Sequence, residues 1–135
     1  MLTERKVPQV TSRKIPPQGV NLMRPKVYIS GPLTSSGTPE DNVDCAIEWM
    51  HRLIQDGLSP MCPHLSWYVD SDETYTHEEW MELDIAWVDV ADCVLRIPGD
   101  SIGADIEVDY AETHGIPVFT AHSYGDLVFS LLGEC

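Results

Sequence analysis

The strongest constraint on the fold is a strand, a glycine-containing turn and a helix that follow one another between residues 93 and 115. An apolar run over 93–97 is followed by Ser101-Ile-Gly-Ala-Asp-Ile-Glu107, which leads into a segment with helical spacing. This order is typical of α/β folds, which present a binding site at the carboxyl end of a strand. Because backbone N–H groups at a helix start favour anions and hydroxyl-rich ligands, we expect a site here. Glu107 is expected in the first turn of the helix, where an acid also simply complements the helix dipole.

Strand-like runs alternate with helical segments along the rest of the chain. Strands are predicted at 26–30, 58–62, 93–97 and 116–121, and helices at 38–57, from Thr76 or His77 to 90, up to Gly115, and at 124–132. Pro60 has no N–H for a ladder, so the second strand is expected to be weak or at an edge. The alternation predicts right-handed crossovers and an α/β three-layer sandwich of the flavodoxin/Rossmann-like kind. Its sheet is expected to be mostly parallel, with four to five strands.

Positive charge is concentrated at the start of the sequence. Six of the eight Lys and Arg residues lie in 1–26, so 27–135 keep 2 basic and 21 acidic residues, a formal net charge of 2 − 21 = −19. Because phosphate neutralisation dominates nucleic acid binding, this acidity disfavours a nucleic acid polymer as a partner and favours a small molecule. Residues 1–24 are predicted to be a flexible, basic, proline-rich N-terminal arm, and 25–135 a single domain.

The sequence gives no sign of a membrane segment, a metal or a cofactor. No run reaches the length of a membrane span and no signal-peptide pattern opens the chain, so a cytoplasmic protein is expected. The four cysteines form no C-x-x-C pair, and neither a G-x-G-x-x-G nor a Walker A pattern is present. We therefore predict no metal site and no cofactor.

Two residues are notable for their positions within predicted elements. Asp84 falls inside a helical stripe that we expect to be buried, formed by Trp80, Leu83, Trp87 and Val90. A carboxylate there needs partners or a cavity, unless it is a capping or ion-paired acid at the edge of the stripe. Tyr28 lies in the first strand, where its phenol either serves a site or belongs to the core with its hydroxyl at the rim.

Polar residues gather where three predicted strands end. The candidate binding residues there are Ser30, Gly31, Thr34, His64, Arg96, Ser101 and Gly103. His64 either contacts a ligand or is structural, and Arg96 either holds a ligand phosphate or neutralises its acidic surroundings. Two carboxylates beside hydroxyl groups suit displacement at an acetal carbon, and a retaining reaction needs the carboxyls about 5–5.5 Å apart.

Three pieces of the sequence carry a resemblance to a known family: Val27-Tyr-Ile-Ser-Gly31, Asp84-Ile-Ala-Trp87 followed by Ala91-Asp92, and Ser101-x-Gly-x-x-x-Glu107. In these pieces, which span most of 26–119, the chain resembles the nucleoside 2-deoxyribosyltransferase superfamily. This superfamily includes the deoxyribonucleoside 5′-monophosphate N-glycosidases. The resemblance implies a flavodoxin-like fold. It also implies cleavage of the N-glycosidic bond of a 2′-deoxynucleoside or its 5′-monophosphate, through a covalent deoxyribosyl–glutamate intermediate.

The resemblance also implies residue roles. Glu107 is implied to be the nucleophile, with Tyr28 orienting it. Asp84 is implied to hold the sugar or assist the leaving base, and Ser101 to bind the sugar 5′ end or a phosphate. Because members are commonly dimers or larger, with a neighbouring chain completing the site, a homo-oligomer is implied and Ser130 is a candidate for that contribution.

Tryptophan content also favours an oligomer. The chain has 4 tryptophans in 135 residues, more than a small core readily hides, and aromatic residues are enriched at interfaces. We predict a dimer through the helix that carries Trp80 and Trp87, with neighbours such as Trp49.

Several alternatives remain open at this level. Monophosphate N-glycosidases usually carry an arginine in the first loop, and residues 31–37 have none, so Arg96 or the hydroxyls of 34–36 are the candidates for holding a phosphate. Nucleoside and monophosphate are thus both possible substrates, and the acceptor can be another base or water. The alternative to an enzyme is a non-catalytic nucleotide or sugar-nucleotide sensor on the same scaffold.

Overall fold

A computed structural model describes residues 18–70 and 72–133. Most of the predicted arm, residues 1–17, lies outside this range, and the flexibility predicted for it stays a prediction. Residues 18–23 form turns, and Arg24 donates hydrogen bonds from its guanidinium to the carbonyl oxygens of Ile54 and Leu58. The last residues of the predicted arm therefore lie against the domain.

Within the described residues, strands and helices alternate as predicted. The elements are β1 (Lys26–Ser30), α1 (Pro39–Gln55), β2 (Ser59–Met61), a 3-10 helix (Pro63–Tyr68), α2 (His77–Val90), β3 (Cys93–Arg96), α3 (Ile102–Thr113), β4 (Val118–Thr120), a short 3-10 turn (Ala121–Ser123) and α4 (Tyr124–Leu132). The second and fourth strands are shorter than expected, and the segment expected to be a loop after β2 is the 3-10 helix. None of the described helices combines the length and apolar character needed to cross a bilayer.

The strands form one parallel sheet in the order β2-β1-β3-β4. This confirms the predicted α/β class, and the predicted edge position of the Pro60 strand is also correct. Apolar residues alternate along β1, with Val27 and Ile29 packing among α1 and α4 on one face of the sheet. Tyr28 packs with Val88 of α2 and Ala111 of α3 on the other face. The result is the expected three layers.

Helix starts follow the local capping signals in the sequence. Thr38 accepts a hydrogen bond from the N–H of Asp41 and is followed by proline at the first helical position. Thr76 and Glu79 form a capping box at the start of α2. Ser101 caps α3 by accepting from the N–H of Ala104. These caps fix where each helix starts relative to the strand ends.

The stripe predicted to be buried on α2 is not buried in the chain. Leu83, Trp87 and Val90 are about half exposed, and Val88 is the residue of this helix that is fully buried. The physical reason is that the sheet covers only the narrow side of α2 that carries Val88. Leu83, Trp87 and Val90 lie on a different side of the helix, which no layer covers within the described residues.

Candidate active site

Glu107 is a buried carboxylate at the centre of the predicted site. Its side chain is only 5% exposed. Because Ser101 caps α3, Glu107 is the sixth residue of the helix and lies in the second turn; the predicted first-turn position is wrong. The helix dipole acts mainly within the first turn, so other groups must stabilise a charge on Glu107.

Two hydroxyl groups from β1 supply that stabilisation. Tyr28 Oη donates to Glu107 Oε2 at 2.7 Å, and Ser30 Oγ donates to Glu107 Oε1 at 2.7 Å. Both donors are fully buried. Residues two apart in a strand point to the same face, so the order Tyr-x-Ser directs both hydroxyls at α3. Each carboxylate oxygen thus has its own donor, which fixes the orientation of the group.

Asp84 of α2 lies beside Glu107. Burial, the charge of Glu107 and a hydrogen bond with it raise the pKa of Asp84 to about 7. Burial also raises the pKa of Glu107, while hydrogen bonds from Ser30 and Tyr28 oppose that rise, as do the charge of Arg96 and a hydrogen bond from Asp84. Within the pair, the hydrogen bond between the two carboxyls raises the pKa of Asp84 and lowers that of Glu107, so this bond favours the proton on Asp84.

Tyr28 keeps its proton throughout the physiological pH range. Burial, followed by the charges of Glu107 and Asp84, raises the pKa of its phenol far above the usual value. Tyr28 is therefore a hydrogen-bond donor to Glu107 and not a proton source.

Glu107 and Asp84 open into a cavity of about 730 Å³. This volume is in the range typical of sites for small organic molecules. Of the predicted site residues, those lining it are Gly31, Thr34, His64, Asp84, Ser101, Gly103 and Glu107. Tyr28 and Ser30 lie directly behind Glu107. The structure thus brings nine of the eleven predicted site residues together.

The rim at the ends of β1 and β3 is held by close backbone contacts. A Cβ at Gly31 would collide with the side chain of Ile97, so only glycine fits where β1 leaves the sheet. Ser35 and Ser36 both donate to the carbonyl oxygen of Asp100, which joins the first loop to the turn before α3.

His64 is almost fully buried on the wall of the cavity. Its Nδ1 lies 4.0 Å from Cys62 Sγ, and its Nε2 has no hydrogen-bond partner among the described residues. Burial lowers the pKa of His64, against the opposing effect of the carbonyls of Gly31 and Pro32. A neutral imidazole with an unpaired nitrogen is suited to a polar ligand atom.

Arg96 and Ser130 do not line the cavity. The guanidinium of Arg96 donates to the carbonyl oxygens of Ile97 and Gly99 and lies 3.4 Å from an Asp105 carboxylate oxygen. It therefore acts on Glu107 by its charge and not by contact with a ligand. Ser130 is exposed on α4, which packs on the opposite face of the sheet. Its role in a neighbouring chain's site stays a prediction.

Aromatic side chains that were not predicted from the sequence form a wall on the other side of the cavity. Trp67, Tyr75 and Trp80 line it, and the rings of Tyr75 and Trp80 meet edge to face at 5.6 Å. Asp70 organises this wall, because its carboxylate accepts from Thr74 N, Tyr75 N and Trp80 Nε1. The sequence feature that could have predicted these residues at the cavity is Asp70, which follows the second strand and precedes aromatic residues at 75 and 80.

No group of three or more His, Cys, Asp or Glu side chains is placed to hold a metal ion in the described range. The chemistry available at this site is that of two carboxyls, hydroxyl donors and aromatic faces.

Several proteins of known structure have a similar fold. The fold is similar to that of a conserved protein from Enterococcus faecalis V583, with a TM-score of 0.56 and 20% identity over 79% of this chain and 74% of that one. Also similar are a 2-deoxyribosyltransferase from Leishmania mexicana, with a TM-score of 0.49 and 18% identity over 71% of this chain and 63% of that one, and a 2-deoxyribosyltransferase from Bacillus psychrosaccharolyticus, with a TM-score of 0.49 and 20% identity over 70% of each chain. No curated protein sequence matches the chain. Residues 25–120 match the family described as Domain of unknown function (DUF4406), and the chain belongs to that family.

Proposed function

We propose that this protein cleaves the N-glycosidic bond of a 2′-deoxynucleoside or its 5′-monophosphate through a covalent deoxyribosyl intermediate on Glu107. One observation carries the proposal: a buried carboxylate whose two oxygens are each held by a hydroxyl, next to a second carboxyl with a raised pKa, at the base of a cavity of ligand size.

The proposed first step is a displacement at C1′ of the sugar. Glu107 attacks C1′ with an electron pair of its carboxylate, and the bond from C1′ to the base nitrogen breaks. The electron pair of that bond goes to the base, which takes the proton of Asp84. A pKa of about 7 suits this task, because about half of the acid is protonated at pH 7 and it still gives up its proton readily.

The second step restores the carboxylate. Water or the nitrogen of another base attacks C1′, and the bond between the sugar and Glu107 breaks with its electron pair returning to Glu107. The now ionised Asp84 accepts the proton that the attacking group loses. Whether a second base outcompetes water at this step decides between transferase and hydrolase.

The remaining lining residues have roles that fit this reaction. Trp67, Tyr75 and Trp80 offer aromatic faces and edges for a planar base. Ser101 and Thr34, at the ends of β3 and β1, are placed to bind hydroxyl groups of a sugar.

The direct test is release of free base. We expect the purified full chain to release base from at least one deoxynucleoside or monophosphate, as measured by chromatography. Glu107→Gln should lower turnover by several orders of magnitude, because it keeps the shape but removes the nucleophile. The matched control is Glu112→Gln, the same change at an exposed position of the same helix, which should keep full turnover.

A trapping experiment tests the intermediate separately. A slow 2-fluoro sugar analogue should leave one sugar on Glu107, detected by mass spectrometry of the digested protein. If Glu107→Gln turns over a substrate at nearly the wild-type rate, the covalent mechanism is wrong. Binding without any release of base would instead favour a sensor on the same scaffold.

We also propose that the protein is a homodimer through the apolar face of α2 and α3. Leu83, Trp87, Val90 and Ile106 are all about half exposed on these two helices. Trp49 does not belong to this face, because it packs against Tyr124 on the other side of the sheet. The expected participation of Trp49 in the same interface is therefore wrong.

A further inference from the structure

Resting on the function proposed above, we propose that the cavity takes a 2′-deoxynucleoside with a free 5′-hydroxyl and discriminates against its 5′-monophosphate. The charges that line the cavity favour this specificity, and so do the positions of the cationic side chains among the described residues.

The described lining of the cavity carries acids and no lysine or arginine. Its acidic members are Asp70, Glu73, Asp84 and Glu107. A 5′-phosphate brings close to two negative charges at neutral pH and offers only acceptor oxygens, whereas carboxylates need donors. A 5′-hydroxyl is neutral and can donate a hydrogen bond to a carboxylate. The cavity is therefore complementary to the hydroxyl and repels the phosphate.

The Lys and Arg residues in the described range are held elsewhere. Arg24 binds carbonyl oxygens on α1 and before β2, and Arg52 lies over the rings of Trp49 and Tyr124. Lys26 starts β1, at the end of the strand opposite to the site. Arg96 is bound to two carbonyl oxygens and Asp105. Moving Arg96 to a phosphate would break the contacts that hold the turn before α3.

Some of the polar groups around the start of α3 are already engaged in internal hydrogen bonds. The N–H of Ala104 is taken by Ser101 Oγ, and the hydroxyls of Ser35 and Ser36 both donate to Asp100 O. A phosphate that used these particular groups would have to displace their internal hydrogen bonds, whereas a hydroxyl needs only one partner.

The first measurement is binding by calorimetry, with the full chain, the four 2′-deoxynucleosides and their 5′-monophosphates. Glu107→Gln is used alongside the wild type so that ligands are not consumed, and EDTA is present so that no divalent cation bridges phosphate and carboxylate. We expect every nucleoside that binds to have an affinity at least about 30-fold higher than its monophosphate at low salt. A factor of this size corresponds to the repulsion between two like charges near a protein surface. The difference should shrink as salt is raised, because salt screens the repulsion.

A pair of lysine variants tests the electrostatic cause. Thr34→Lys places a cation on the exposed loop at the mouth of the cavity, and it should raise monophosphate affinity relative to nucleoside affinity by about tenfold. Thr113→Lys adds the same charge at the far, exposed end of α3 and should leave the ratio unchanged.

The outcomes distinguish this proposal from the proposed reaction. Tighter binding of nucleosides supports the specificity whether or not base is released, and absence of release then counts against the reaction alone. Monophosphates that bind as tightly as nucleosides overturn the specificity, even if base is released from them. An equal shift in both lysine variants, or in neither, overturns the electrostatic explanation. Failure of all eight ligands to bind overturns both proposals.

Discussion

Replacing Tyr28 with phenylalanine should raise the pKa of Glu107 by about one to two units. The change removes the hydroxyl that donates to Glu107 Oε2 at 2.7 Å and leaves the ring in the buried position it already occupies. A hydrogen bond to a charged group contributes roughly 1.5–3 kcal/mol. One pKa unit corresponds to about 1.36 kcal/mol, which gives the stated shift. The sign is upward because the lost bond favours the ionised form of Glu107.

The pKa can be measured without any assumption about activity. Carbon-13 at the glutamate carboxyls, followed by NMR against pH, reports each titration, and the Glu107 signal is the one absent from Glu107→Gln. Ser30→Ala is the parallel variant, because it removes the donor to the other carboxylate oxygen. If a substrate is turned over, the acidic limb of kcat/KM should move up by the same amount. A Glu107 pKa that stays within about 0.3 unit of wild type in Tyr28→Phe would refute the reasoning, since the error of such a titration is far smaller than the expected shift.

Three further predictions concern pH, stability and assembly. In the wild type, kcat/KM should decline as pH rises through about 7, because Asp84 then loses the proton proposed for the leaving base. Asp84→Asn should abolish this basic limb of the pH–rate profile. An unchanged limb would show that another group causes it. The pKa of Glu107 is raised in the folded state, so its contribution to stability is greatest below the unfolded pKa and is lost as pH rises. Between pH 5 and 8 the free energy of unfolding in urea should therefore fall less for Glu107→Gln than for the wild type. Equal losses would contradict this. Trp87→Glu should convert the proposed dimer to a monomer in light scattering, whereas a wild type that is already monomeric at high micromolar concentration would argue against the α2–α3 interface.

The sheet and the helix starts could be predicted because their signals are local. The Thr38-Pro39 pair and the Thr76 to Glu79 box fix two helix starts through hydrogen bonds within one turn. Tyr28 and Ser30 lie on the same face of β1, and this follows from strand geometry alone because side chains alternate between the two faces of a strand. Such features do not depend on the rest of the fold, so a single sequence is sufficient to identify them.

The exposure of α2 could not be predicted in the same way. Helical periodicity shows that Leu83, Trp87 and Val90 share a face, but it does not show which surface covers that face. The sheet takes up Val88 instead, and the stripe remains exposed in the single chain. An apolar stripe that faces a partner has the same spacing as one that faces the core.

The aromatic wall escaped prediction because it depends on an irregular segment. Asp70 accepts three hydrogen bonds that bring Tyr75 and Trp80 to the cavity. These contacts set the path of residues 70–76, and no periodicity marks such a path. Trp67 reaches the same cavity from a 3-10 helix, where a loop was expected.

The second-turn position of Glu107 changes the explanation of its charge. An acid in the first turn would be stabilised by the helix dipole, and this stabilisation would not depend on particular neighbouring side chains. In the second turn, ionisation depends on Tyr28, Ser30 and the neighbouring Asp84, against the cost of burial. Two of the groups that keep Glu107 ionised, the hydroxyls of Tyr28 and Ser30, also orient it, so neither can be removed without affecting both its charge and its direction. Tyr28, Asp84 and Glu107 belong to the resemblance motifs on β1, α2 and α3, and they interact in the fold although they lie far apart in the sequence.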